Sequence, residues 1–422
     1  MDGYTHVAYE LSDTLGRLTE LQSLYIDGST PFAERQPPRR NRVPPRAHRL
    51  LVRSAIPSLS LGSLAALGVL HIRACDRLTE LPESLGELAA LTELHIDACD
   101  QLTELPESLG ELAALTELRI AQCGGLTRLP ESLGKLAALT RLTVSTNDGM
   151  TALPESLGQL AALDTLSVYR CDRITALPES LGGLVMLTGL SLPECWTLTA
   201  LPESLGLLSR LTWLVLRSCR LLARLPESLG QLAALEYLNL VGCSALTMLP
   251  ESLCQLRALS RLNMWCCRSI CRLPESLGQL PSLTVLDLGW CWALTVLPES
   301  LGQLAQLTTL DLTYCRSLTE IPESLGRLSA LHSLGIRQNH SLQRLPFALV
   351  HIEARVFGDM FDLPDVVFPP AAVVDRGAAA VQQFLYDNYS ALKILLLIMA
   401  GRRRRMRRPP AEVWYLVVVE FL

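Results

Sequence analysis

The chain has 422 residues, of which 49% are hydrophobic but only 5% aromatic, so its core has to be built from Leu, Ala, Val and Ile. The formal net charge of −5 is unevenly spread: seven Arg and one acid fall in residues 34–53, and six Arg with no acid in 402–408. The remainder carries 24 basic against 41 acidic residues, and an acidic body argues against a surface that wraps nucleic-acid phosphates.

Residues 1–16, MDGYTHVAYELSDTLG, contain no basic stretch followed by an apolar run, so no secretory signal is expected there. Thirteen Cys are then expected as reduced thiols in the cytoplasm, with the Arg runs giving access to the nucleus. Residues 1–29 read as a partial N-terminal repeat, because 11–29 follow the second half of the unit described next. Residues 30–60 hold six Pro and the seven Arg. They read as a basic loop that hides one degenerate coil around Leu50 and Val52.

Self-similarity dominates residues 61–346. LPESLG starts at Leu81, Leu105, Leu129, Leu153, Leu177, Leu201, Leu225, Leu273 and Leu297; LPESLC at Leu249 and IPESLG at Ile321 complete the series, always 24 residues apart. In the unit at Leu91, Leu94 and Ile96 alternate with His95 and Asp97, which predicts a short strand with one apolar face. Cys99 follows at the bend, and Leu102 and Leu105 point back inward. Pro106 starts a short turn, since the first helical N–H lacks a partner anyway, and Gly110 argues against a long helix. A single coil leaves its Leu side chains and strand edges uncovered, so coils must stack. Twelve parallel strands between Leu67 and Leu331 are expected, with the wider turns on the outside of the curve.

This spacing resembles the leucine-rich-repeat superfamily, in the form found in plant disease-resistance receptors and intracellular Ras-suppressor-type scaffolds. The resemblance implies an α/β solenoid: a horseshoe with a concave parallel β-sheet, short 3₁₀ or α segments on the convex side, and a small helical C-terminal region. It also implies a non-enzymatic module for protein binding, of the kind used in signalling and innate immunity.

Ten coils place Cys at one position, and Asn147 and Asn339 fill it in two others. The resemblance implies that this residue pairs buried loop backbone. One thiol per coil does not surround a point, so neither a metal nor a cofactor is expected. Cys266, Cys267 and Cys271 are denser, with only Cys266 expected on the wet face. Glu83, Glu107, Glu131 and their equivalents up to Glu323 are read as carboxylates at the start of each turn. His71 and His95 occupy equivalent places on neighbouring strands, with Asp97 close by. With too few ligands for a metal, they read as a solvent-facing pair. There is no phosphate-binding Gly loop, HExxH or GxSxG, and the recurrent Ser has no partnering His.

Outward positions vary between units. They are polar in the first four and then become aromatic and basic: Tyr169, Arg170, Trp213, Arg217, Tyr237, Arg261, Trp265, Trp290 and Tyr314. Trp, Tyr and Arg dominate binding hot spots, and a Leu-built core needs none of these rings. These nine residues are the candidate partner-binding site on the concave face, for a protein or peptide.

Residues 347–389 form a C-terminal cap, with Val356 to Met360 as a last strand. The following FPPAAVVDRGAAAVQQFLYD is similar to the closing segment of Roco-type proteins, which implies a cover for the open last coil. In 390–422 an apolar helix, Ala391 to Ala400, precedes the Arg run. Its ten positions fall short of the ~20 that cross a bilayer, so no transmembrane segment is expected. The final PPAEVWYLVVVEFL resembles the first helix of an F-box. The resemblance implies docking to a Skp1-like protein through Trp414, Val417, Phe421 and Leu422, and hence a ubiquitin-ligase substrate adaptor. A docking helix and a membrane-surface anchor are the other readings of this segment.

Overall fold

A computed structural model describes residues 5–7, 20–28, 49–52, 61–336 and 338–342. The chain divides into two units, Met1–Leu246 with Gln255–Ala258, and Thr247–Cys254 with Leu259–Leu422. The proposed cap strand, the cap helix, the apolar helix and the F-box-like segment lie outside the described residues.

The first unit carries β1 (Thr5–Val7), β2 (Ser23–Asp27), β3 (Arg49–Val52), β4 (Val69–Arg73), β5 (Glu93–Asp97), β6 (Glu117–Ala121), β7 (Arg141–Ser145), β8 (Thr165–Tyr169), β9 (Gly189–Ser191), β10 (Trp213–Val215) and β11 (Tyr237–Asn239). All pairings are parallel, and the 24-residue period fixes the register: Leu94 lies beside Leu118 and Leu118 beside Leu142. The column continues through Leu166, Leu190, Leu214 and Leu238. The second unit carries β12 (Arg261–Asn263), β13 (Val285–Asp287), β14 (Thr309–Asp311) and β15 (Ser333–Gly335). Leu262, Leu286, Leu310 and Leu334 form its column. Each of the twelve predicted coils has its strand.

The start of the chain departs from simple succession. Residues 49–52 do form the strand suggested by Leu50 and Val52, but β2 pairs directly with β4, and β3 lies on the other side of β2, between it and β1. Leu24 and Ile26 match Leu70 and Ile72 in register, so residues 23–27 supply the coil that roofs β4.

The turns opposite the strands are 3₁₀ segments, such as Glu107–Glu111. Pro106 precedes this turn in an extended conformation, with φ −68° and ψ 147°, and its carbonyl accepts from Leu109 N at 3.1 Å. Pro therefore acts as the residue before the turn rather than its first member. The Glu after each Pro does more than favour its own turn. Glu107 Oε2 accepts from Ser132 N at 3.0 Å and Glu131 Oε2 from Ser156 N at 3.0 Å, each 25 residues on. Each of these carboxylates satisfies an orphan N–H at the start of the next coil's turn, a charge-assisted bond.

The recurrent Gly packs against the next coil. A Cβ on Gly134 would stand 2.6 Å from the Ser156 carbonyl oxygen, and one on Gly206 2.6 Å from that of Ser228. Coil spacing at this edge is thus set by the missing side chain. Cys254 replaces this Gly, and the following turn shortens from five residues to three, Leu277–Gln279.

The Cys column is buried and bonds backbone as expected. Cys219 Sγ donates to Leu192 O at 3.1 Å and Cys243 Sγ to Leu216 O at 3.1 Å. Asn147 does the same work with two bonds: its Nδ2 donates to Ile120 O at 3.1 Å and its Oδ1 accepts from Cys123 N at 2.8 Å. Burial pushes the thiols of Cys171, Cys195, Cys243 and Cys315 up to about 12, so they stay protonated and inert.

Candidate functional site

The residue before each column position adopts a left-handed backbone, including Arg170 (φ 50°), Cys266 (φ 65°), Trp290 (φ 61°) and Tyr314 (φ 60°). Large side chains are uncommon there, and this conformation swings them off the strand face into the turn that follows it.

In the second unit an Asx turn ends each of β12, β13 and β14 and aims the aromatics. Asn263 Oδ1 accepts from Trp265 N at 3.0 Å, Asp287 Oδ1 from Gly289 N at 3.0 Å, and Asp311 Oδ1 from Thr313 N at 2.8 Å. Trp265, Trp290 and Tyr314 stand just past those turns. Trp290 stacks on Tyr314, with centroids 4.3 Å apart and planes at 22°, and lies 6.0 Å from Trp265. Gly289 makes room for this: a Cβ there would meet Trp265 Cδ1 at 2.8 Å. Trp265 is 41% exposed, high for so large an apolar ring. Arg261 is exposed at the start of β12, on the strand rather than in the turn.

Sequence reasoning missed the neighbouring column. Trp292 lies 5.9 Å from Trp290, and its ring is faced by Arg268 at 4.3 Å and Arg316 at 5.0 Å. These cation–π contacts hold the guanidinium groups in place. The signal was available: the residue after each Cys reads Arg268, Trp292, Arg316 at the same 24-residue step.

The first unit holds the other predicted residues. Trp213 and Tyr237 are register partners on β10 and β11. The Trp213 ring covers Gly189, where a Cβ would fall inside it. Asn239 Nδ2 donates to Tyr237 Oη at 2.7 Å. Tyr169 and Arg170 converge on Glu194, at 3.4 Å and 3.8 Å, while Arg217 is exposed. Arg220 lies over Trp196 at 4.9 Å, the same column arrangement as Trp292. The nine predicted residues thus form two groups, one in each unit.

The early strands carry charge instead. Arg119 pairs with Asp97 at 3.1 Å, and Arg141 pairs with Glu117, which also lies 3.3 Å from His95. Burial alone would raise the Glu117 carboxyl, but the Arg141 guanidinium beside it holds it below its usual value. His71 and His95 lie on the outward strand face, where alternation places them, and are register partners that touch. Their rings stack at 4.2 Å, Tyr25 meets His71 edge-on at 4.6 Å, and both residues are half-buried. Among the described residues, His71, Glu93 and His95 are the group whose ligand atoms converge closely enough to hold a metal.

Comparison with known proteins agrees with this architecture. A family model described as "Leucine-rich repeat region" matches residues 50–174, and one described as "Leucine Rich Repeat" matches 306–328. None of the curated proteins matches. Among solved structures, a leucine-rich-repeat protein of Leptospira interrogans is 25% identical, over 72% of this chain and 85% of that one, with a TM-score of 0.42. The leucine-rich-repeat domain of the type III effector XopL is 27% identical over 63% and 75%, with a TM-score of 0.39. Toll, solved in complex with Spätzle from Drosophila, is 20% identical over 72% of this chain and 42% of that one, and its TM-score of 0.56 marks the same fold. Among the described residues no helix is long and apolar enough to cross a membrane.

Proposed function

Because the chain is a leucine-rich-repeat protein, we propose that the strand side of its coils binds another protein or a peptide and performs no chemistry on it. The observation that carries this reading is the Trp265–Trp290–Tyr314 ladder with the Arg-flanked Trp292 beside it. These rings are held outside a core built mainly of Leu, and aromatic and Arg side chains ordered in advance lose little entropy on contact. Toll, which shares the fold, was solved in complex with Spätzle. A cytoplasmic setting belongs to the same reading. It draws support from the thirteen thiols, eleven of them buried and all outside disulfides. The adaptor reading rests on residues 409–422 alone and draws nothing from the described ones.

Affinity purification with the intact chain and with Trp265→Ala plus Trp290→Ala tests the proposal. Both side chains leave the turns rather than the core, so the double variant is expected to keep its fold by circular dichroism. It should hold the captured partner at least ~tenfold more weakly, as loss of a hot spot does. Unchanged affinity in the folded double variant would remove this surface from the binding site.

A further inference from the structure

We propose that His71, Glu93 and His95 form a binding site for a divalent transition-metal ion of the zinc class on the strand face of the first unit. Two strand rules assemble the site. Side chains two apart share a face, which puts Glu93 beside His95 on β5. The in-register pairing of β4 with β5 sets His71 directly opposite His95. One ligand atom from each of the three lies within 4.8 Å of the other two.

One of the imidazoles has a nitrogen open to a ligand. His71 is half-buried, and its Nε2 is shielded from solvent with no hydrogen-bond partner, an arrangement that costs free energy unless something fills it. Glu117, 3.3 Å from His95 Nε2 and itself paired with Arg141, is the kind of outer carboxylate that orients a metal-bound imidazole.

Two nitrogens and one carboxylate oxygen suit zinc and its neighbours rather than magnesium or calcium, which take oxygen ligands. Zn–N bonds of ~2.0–2.1 Å require the two ring nitrogens to close to roughly 3.4 Å, a movement available to side chains on an open sheet face. A cleft of about 450 Å³, lined by Tyr25, Asp27, His71 and Arg73 among others, borders the site at His71. Three protein ligands leave a coordination position for water or for a group from a bound partner.

Cobalt(II) is the probe, because its visible d–d absorption reports bound geometry directly. The untagged full chain is titrated with cobalt and then with competing zinc, beside three variants whose folding is checked by circular dichroism. The expected result is stoichiometric cobalt binding displaced by zinc. Glu93→Gln should weaken it at least ~tenfold, and His71→Asn with His95→Asn should abolish it. Cys266→Ser with Cys271→Ser, which removes the two thiols not buried, should leave it unchanged. No absorption band at millimolar cobalt, or a band that survives in folded Glu93→Gln at full affinity or that depends on the thiols, would overturn the proposal.

Discussion

Leu238→Ala is expected to lower the stability of the chain by about 2–5 kcal/mol in chemical denaturation followed by circular dichroism, the range for a buried Leu truncated in a packed core. Leu238 is 0% exposed at the centre of β11 and lies in register with Leu214, which is equally buried. The coil cannot collapse into the gap, because the strand hydrogen bonds that fix its height are shared with its neighbour. The loss falls on the contacts between coils that hold a repeat array together, so the transition is also expected to broaden. A change below ~0.5 kcal/mol, the size typical of surface positions, would mean that this Leu does not face the core.

Gly134→Ala is the second large effect. The added methyl would sit 2.6 Å from the Ser156 carbonyl oxygen and 2.8 Å from Ser156 Cβ, closer than non-bonded atoms come. The obstacle is backbone, so relief requires the two coils to part, and the cost is expected at about 2–3 kcal/mol. Gly68→Ala is the matched control: its new Cβ would have no neighbour nearer than 3.7 Å, so it should stay within ~0.5 kcal/mol of the parent in the same denaturation experiment. If both substitutions behave alike, the close approach of the turns is not what sets the spacing of the coils. Cys254 shows how the chain itself meets the problem, by shortening the turn that follows to Leu277–Gln279.

What lay open in the sequence was whatever repeats within one coil. The alternation at Leu94 and Ile96, the recurrent Pro and the Cys position each have a local cause, and the period then forces Leu94, Leu118 and Leu142 into one column. Features that join one coil to the next were harder to read. Glu107 reaches the N–H of Ser132, 25 residues on, and Gly134 excludes a side chain because of Ser156; neither partner is implied by the local pattern. The direction of the aromatics was partly hidden as well. The alternation of Trp265, Trp290 and Tyr314 suggests a flat face, but the Asx turns and the left-handed residues carry these rings past the strand ends. The His pair was seen, but Glu93 was not joined to it, because it belongs to a run of acidic residues that looks uniform until β5 places it on the same face as His95 and the register sets His71 opposite His95.

Backbone hydrogen exchange on the complex with a captured partner tests the binding account most directly. Protection on binding is predicted in peptides covering 261–268, 285–292 and 309–316, with the opposite turns at 277–279, 299–303 and 323–327 left as they are in the free chain. Protection confined to those turns, with the Trp-bearing segments unchanged, would contradict it.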